Sequence, residues 1–281
     1  MTIGELYKLG VTRLLENKIE ESSLKSKMLL CNILKQDKPY LVSHDRQDVT
    51  KEDELLFLSQ IEELIEGKPI QYIVNKQEFM RLSFYVDESV LIPQPDTEIL
   101  VEEVIKLAKG KNKIKVLDLC TGSGAIGISI AKQIECSVTL SDISKQALEI
   151  AKKNVISNQV EDKITIIQSD LFENIKEKFD LIVSNPPYIQ SKVIPELSRE
   201  VQHEPKLALD GGVDGLNFYR KIIQESDTYL QQDGYLCLEI GYDQKMKILD
   251  LVEKSKKYKE IYTKEDLSGN DRIMIARKVG N

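Results

Sequence analysis

The sequence predicts an α/β protein in two unequal parts, a small helical bundle followed by a larger domain in which strands alternate with helices. Three observations carry that prediction. Apolar residues recur at helical spacing up to about residue 65, β-branched and aromatic residues then cluster between Tyr72 and Ile92, and from Pro95 onward short apolar runs alternate with amphipathic segments. At 281 residues the chain exceeds the ~100–200 residues usual for one domain, which agrees with a division into two. The reading divides it into a helical bundle over 1–70, a β-hairpin linker over 71–94 and an α/β domain over 95–281.

In the bundle, Ile3, Leu6, Tyr7, Leu9, Leu14 and Leu15 mark a first helix, and Leu24, Met28, Leu29, Ile33 and Leu34 a second. A third runs through Leu55, Leu58, Ile61 and Ile65; Thr50 with Asp53 resembles a capping box at its start, and Gly67 with Pro69 closes it. In the linker, Asn75 and Asp87 are the candidate turn positions of a hairpin spanning Tyr72 to Ile92. The α/β domain then reads as strand 113–119, helix 125–133, strand 137–140, helix 145–156, strands 164–167 and 181–183, helix 215–230, strand 235–240, helix 244–254 and two closing strands near Tyr258 and Ile273. Such alternation builds a parallel sheet covered by helices on both faces, and ligands of these sheets bind at the carboxyl ends of the strands.

Composition narrows the function classes. Hydrophobic residues are 41% and charged residues 30%, an ordinary globular balance. The opening MTIGELYKLG lacks a basic segment followed by an apolar one, and no run approaches the ~18 apolar residues that span a bilayer, so the expectation is a cytoplasmic protein with no membrane partner. Cys31, Cys120, Cys136 and Cys237 are scattered, with no C-x-x-C pair, and read as free thiols in a reducing compartment. His44 and His203 are the only histidines and neither has a second ligand at helical spacing, so no metal is assigned. The formal charge is −7 and lysines are interleaved with glutamates, which argues against direct nucleic-acid binding through the phosphate backbone.

Two motifs carry chemistry. Strand residues Val116 to Leu119 run into Cys120-Thr121-Gly122-Ser123-Gly124-Ala125-Ile126-Gly127, a glycine-rich turn from strand to helix that lets a ligand approach the main chain, and Asp142 stands twenty residues beyond Gly122 at the end of the next strand. A carboxylate there accepts from both hydroxyls of a ribose. This pattern fits a dinucleotide site as well as a mononucleoside site, and packing alone also calls for glycines at such turns. Asp118 before the glycines separates the readings, together with Ser184-Asn185-Pro186-Pro187-Tyr188 at the end of the strand beside the first.

The two prolines remove backbone donors and leave carbonyls as acceptors; the Asn185 side chain adds another, and Tyr188 supplies an aromatic face. An NH2 group held between two acceptors suits methyl transfer to an amide or amino nitrogen, because accepting from both N–H bonds draws electron density onto the nitrogen. An extended loop with an Asn cap is the plain alternative. In Ser169-Asp170-Leu171-Phe172, Asp170 is placed to accept from an adenine amino group while Leu171 or Phe172 packs on the ring, although a turn aspartate explains the same residues. The connection from 189 to about 213 is far longer than the usual ~2–6 residues and reads as a lid or substrate-guiding segment.

Together these residues resemble the peptide chain release factor glutamine methyltransferases, the HemK-type family. The resemblance includes Pro69 to Ile73, Leu91-Ile92-Pro93, Pro95-Asp96-Thr97-Glu98, Asp118 to Gly127, Asn185 to Ile189, Glu204-Pro205, Gly211 to Leu216 and Glu239-Ile240-Gly241, and spans about 69–275. It implies a Rossmann-like class I S-adenosylmethionine methyltransferase domain that uses S-adenosylmethionine to methylate the side-chain N5 of the glutamine in the Gly-Gly-Gln motif of class 1 peptide chain release factors. Carried over, Cys120, Thr121, Gly122, Ser123 and Gly124 line the methionine and ribose portion, Asp142 holds the ribose, and Leu171 packs near the adenine. Asn185 and the Pro186 carbonyl accept from the target amide beside the cofactor, and Pro187 and Tyr188 wall the pocket. Three positions depart from the pattern: Cys120 and Asn75 stand where glycine is usual or frequent, and Gln94 where arginine is usual. Asn tolerates positive φ, whereas Cys120 implies an unstrained backbone. The competing reading is a DNA or RNA adenine-N6 methyltransferase, since an exocyclic amino group makes the same demands; a binding protein without catalysis is the third. The chain is expected to act as a monomer.

Overall fold

A computed structural model describes residues 1–280, which form two compact units: residues 1–76 with 198–203, and residues 77–197 with 204 onward.

The first unit contains α1 (Ile3–Glu16), α2 (Ser22–Leu34), α3 (Lys38–Ser43), α4 (Lys51–Ile65) and α5 (Ile70–Val74). Leu6, Leu14, Leu29, Leu30, Phe57 and Ile61 are buried in its core. A Cβ on Gly10 would lie 2.5 Å from the Phe57 ring, so α1 and α4 pack at a distance only glycine permits there. The reciprocal capping box belongs to Thr2 and Glu5 at the start of α1. Thr50 does cap α4, accepting from the Asp53 amide, but the Asp53 carboxylate accepts from the Thr50 hydroxyl rather than from the cap backbone.

The second unit opens with a hairpin shorter than the sequence suggests: β1 (Gln77–Phe79) pairs with β2 (Leu82–Phe84). Its turn is Met80-Arg81, at φ 50° and 61°. Two consecutive positive φ values match the right-handed twist of the strands, and Met80 N–H donates to Glu98 at 2.6 Å. Tyr72 to Val74, expected as strand, belongs instead to α5, and Asn75 is its left-handed C-cap at φ 53°, the positive φ anticipated for it. Asp87 does make a turn, accepting from the backbone N–H groups of Ser89 and Val90.

Then follow α6 (Glu98–Ala108), β3 (Ile114–Leu119), α7 (Ala125–Gln133), β4 (Cys136–Asp142), α8 (Lys145–Ser157), β5 (Ile164–Gln168) and β6 (Phe179–Ser184). Along the chain, α9 (Arg199–Gln202), which belongs to the first unit, and α10 (Lys206–Leu209) precede α11 (Asn217–Tyr229), β7 (Leu230–Glu239), α12 (Lys245–Ser255), β8 (Tyr258–Glu265) and β9 (Asp271–Lys278). The α/β fold with alternating strands and helices is as predicted; α6 was overlooked although Leu100, Val101, Val104 and Ala108 lie at helical spacing and are buried. The sheet order is β5-β4-β3-β6-β7-β9-β8. Its first five strands are parallel and β9 and β8 are antiparallel, so the sheet is mixed. One apolar layer, with Val101, Ile128 and Val155, covers one face and another, with Ile182, Tyr219 and Ile248, the other. Connections leave β3 in one direction toward β4 and return beyond it to β6, which opens the crevice where such sheets bind ligands.

Candidate active site

At that crevice the glycine turn after β3 is fixed from three sides. Thr121 N–H donates to the Ser141 carbonyl at 3.0 Å, tying the turn to β4. Gly122 N–H donates to Asp142 Oδ2 at 2.9 Å. Asn154, wholly buried on α8, donates to the Ser123 carbonyl at 2.9 Å and also exchanges two hydrogen bonds with the Tyr85 backbone. Gly122 and Gly124 take φ 54° and 82°. A Cβ on Gly122 would meet nothing within 4 Å, since that side of the turn is open space. Gly127 serves packing: its Cβ would fall 2.3 Å from Leu140.

Beneath the turn, Asp118 is fully buried and accepts from Thr121 Oγ1 at 2.6 Å and Gly127 N–H at 2.9 Å, both on Oδ2. Oδ1 has no partner among the described residues, and burial, opposed by those bonds, pushes the carboxyl up to about 7. Asp142 also accepts from Ser144 N–H at 2.9 Å. Burial raises its carboxyl too, and the backbone bonds draw it back. Each of its oxygens keeps acceptor capacity, as pairing with ribose hydroxyls requires.

A cavity of about 220 Å³ lies along this edge. Of the residues singled out in the sequence, Cys120, Gly122, Asp142, Leu171, Asn185 and Pro187 line it, with Asp170 beside Leu171. Thr121, Ser123 and Gly124 shape the turn from behind and are buried. Phe172 turns away and stacks on Tyr229 at 4.7 Å, so of the two apolar candidates Leu171 faces the cavity. Ser89, Val90 and Leu91, which follow the hairpin and had no site role in the sequence reading, also line the cavity, as do Pro205, Leu207 and Ala208 of the long connection, which was read as a lid or substrate-guiding segment without roles for these residues. A largely apolar cavity with one acidic edge, a buried Ser141 hydroxyl in its lining that has no partner among the described residues, and an open backbone at Gly122 fits a nucleoside. Asp142, the glycine turn and Leu171 would hold S-adenosylmethionine here, and the cofactor supplies an electrophilic methyl on its sulfonium.

Cys120 corrects an expectation. Its φ is 57°, so a side chain occupies the left-handed position after β3 and the backbone there is strained. Its thiol is driven above the ordinary range by burial and by the nearby Asp142 carboxylate. Gln94 donates to the Ile92 carbonyl at 3.0 Å.

The segment Asn185 to Tyr188 leaves β6, which Ser184 fastens to β3 by donating to the Leu119 carbonyl at 2.7 Å. Pro186 and Pro187 are buried; Asn185 and Tyr188 are partly exposed. Gln244 donates to the Tyr188 carbonyl at 2.9 Å. A Cβ on Gly211 or Gly215 would come within 2.7 Å and 2.4 Å of the Tyr188 backbone, so the chain lies directly against it. Two residues far off in sequence stand next to Asn185. Its Nδ2 donates to Thr97 Oγ1 at 3.4 Å, and the Thr97 hydroxyl donates to Glu239 Oε2 at 2.6 Å.

A parallel-sheet crevice with a nucleoside-sized cavity and an acceptor-rich Asn-Pro-Pro-Tyr edge defines an S-adenosylmethionine-dependent methyltransferase, and the chain matches the Methyltransferase small domain over residues 94–266. Residues 5–74 match the PrmC N-terminal domain. Release factor glutamine methyltransferase of Clostridium acetobutylicum is 40% identical over 91% of each chain, and that of Clostridium botulinum is 38% identical over 99% of this chain and all of the relative. The chain belongs to the release factor glutamine methyltransferase family. Among solved structures, a methyltransferase from Pyrococcus furiosus aligns with TM-score 0.53 at 19% identity over 71% of this chain and 90% of that one. The hMettl16 catalytic domain in complex with MAT2A 3'UTR hairpin 6 aligns with TM-score 0.60 at 16% identity over 83% of each. Both are similar in fold.

Proposed function

We propose that this chain transfers the methyl group of S-adenosylmethionine to the side-chain amide nitrogen of the glutamine in the Gly-Gly-Gln motif of class 1 release factors. The observation that carries the reading is family membership at 38–40% identity along nearly the whole length, relatives that are named for that reaction. The chemistry of Asn185 supports it. An amide nitrogen is a poor nucleophile because its lone pair is delocalised. With Asn185 Oδ1 and the Pro186 carbonyl accepting from its two N–H bonds, the nitrogen gains electron density and is oriented toward the sulfonium. The N–C bond forms as the S–C bond breaks, and one N–H proton leaves to solvent. Pro187 and Tyr188 wall the site, and the flanking glycines of the substrate bring no side chains to obstruct them. The helical unit, which carries no chemistry of its own, is assigned to docking the release factor, and the chain is taken to act as a monomer without contacting nucleic acid.

The test is incubation of purified enzyme with labelled S-adenosylmethionine and a class 1 release factor, read by mass spectrometry. One added methyl group on the Gly-Gly-Gln glutamine is expected, and replacing that glutamine abolishes it. Asn185→Ala is expected to keep cofactor affinity within about twofold while kcat falls at least ~100-fold. Adenine methylation of DNA or RNA with the release factor untouched would reverse the assignment.

A further inference from the structure

Asn185 can serve as an acceptor only if its amide is turned the right way, because oxygen and NH2 differ by a half rotation and the wrong one presents donors to a donor. Nothing on Asn185 itself chooses between them. Behind it, Thr97 stands at the start of α6 and Glu239 at the end of β7, and neither lines the cavity. The Thr97 hydroxyl has one proton, and donates it to Glu239 Oε2 at 2.6 Å. It is therefore left with lone pairs only, and receives the Asn185 NH2 at 3.4 Å. That bond turns the nitrogen of Asn185 inward and its oxygen out.

We infer that Thr97 and Glu239 are positioning residues that hold the Asn185 amide with Oδ1 toward the substrate nitrogen, a role that rests on the function proposed above. The arrangement has a direction set by charge. An ionised carboxylate only accepts, so the order Asn185 to Thr97 to Glu239 runs one way. A protonated Glu239 is itself a donor; it releases the Thr97 proton toward Asn185 and favours the flipped amide. Glu239 is 2% exposed, and burial pushes its carboxyl up to about 7 against the bond from Thr97. The charged groups that face it are Arg272 on β9, which favours ionisation, and Asp96, which opposes it. Arg272 is held by Asp266 at 2.9 Å and Asp96 at 3.3 Å. From α11, the Tyr219 hydroxyl donates to the backbone carbonyl of Glu239 at 2.9 Å rather than to its carboxylate, and Tyr188 stays neutral, raised by burial.

Single-turnover rates with a release factor, measured with cofactor affinity by calorimetry, test the role. Thr97→Val is expected to lower kcat at least tenfold with cofactor affinity unchanged, and Thr97→Ser, which keeps the hydroxyl, to recover most of the loss. Wild-type kcat is expected to fall as pH drops through about 7, and Glu239→Gln, which cannot titrate, to abolish that step. A wild-type kcat in Thr97→Val overturns the inference, as does equal impairment of Thr97→Val and Thr97→Ser or a pH step that survives in Glu239→Gln. A fully active Asn185→Ala would instead overturn the reading of the site on which the inference rests.

Discussion

At Cys120 the chain accepts a local cost beside its cofactor cavity. An L-residue in the left-handed region loses roughly 1–2 kcal/mol to contact between Cβ and the backbone, a penalty glycine escapes. The strand-to-turn geometry that imposes φ 57° is held by the Thr121 and Gly122 backbone bonds and by Ser184 on the neighbouring strand. Cys120→Gly is therefore expected to be more stable than Cys120→Ala by about 1 kcal/mol in urea denaturation, since both lose the thiol and only glycine relieves the backbone. Equal midpoints would show that the position is relaxed. The strain was not legible in the sequence, because a cysteine after a strand gives no sign of its φ. The places of Asp142, Leu171 and Asn185 along the cavity were legible, because each sits at or shortly after a strand end that the apolar runs locate. The pairing of Thr97 with Glu239 was not, although both lie in stretches that carry the resemblance, because they are 142 residues apart in the chain and side by side only after the sheet forms.

The turn between β3 and α7 separates two uses of glycine that the sequence pattern merges. Gly127 lies in α7 against β4, where an added methyl would strike Leu140 at 2.3 Å and press on Val138 and Asp118 at 3.0 Å. Overpacking of this kind costs about 1–3 kcal/mol. Gly122 faces open space and lines the cavity. Gly127→Ala is expected to lower stability by about 1–3 kcal/mol. Gly122→Ala should cost only the left-handed penalty of about 1–2 kcal/mol yet weaken cofactor binding at least tenfold. Thermal melts with calorimetry distinguish them, and the idea fails if Gly122→Ala binds cofactor as wild type does. Regular elements with strong periodicity, such as α7 and β4, were placed within a residue or two. The hairpin was misplaced because its turn, Met80-Arg81, contains no Gly, Asn or Asp to announce it. Its φ values are imposed by strand pairing and by Glu98 rather than by local preference.

For the molecule as a whole the discriminating property is electrostatic. The net charge is −7. In each unit surface cations are tied to acids: Arg13 with Glu62 at 2.8 Å, Lys68 with Glu63 at 3.0 Å, Lys254 with Asp250 at 2.7 Å and Lys257 with Asp227 at 2.8 Å. Pairs of that sort are worth ~0.2–1 kcal/mol and do little for stability, but they leave their cations engaged instead of gathered into a stripe. An enzyme that grips 6–10 phosphates loses roughly three to five decades of affinity between 50 and 200 mM salt. A protein substrate recognised through a mixed surface responds far less, because its charges are screened in both directions and apolar burial is insensitive to salt. Release-factor KM is accordingly expected to change by less than about tenfold across that range. Steady-state methylation at a series of salt concentrations decides it, with labelled DNA and RNA as parallel substrates. A steep loss of release-factor affinity would mean that a phosphate-like array of charge governs recognition, and the assignment of the helical unit to docking a mixed protein surface would then be wrong.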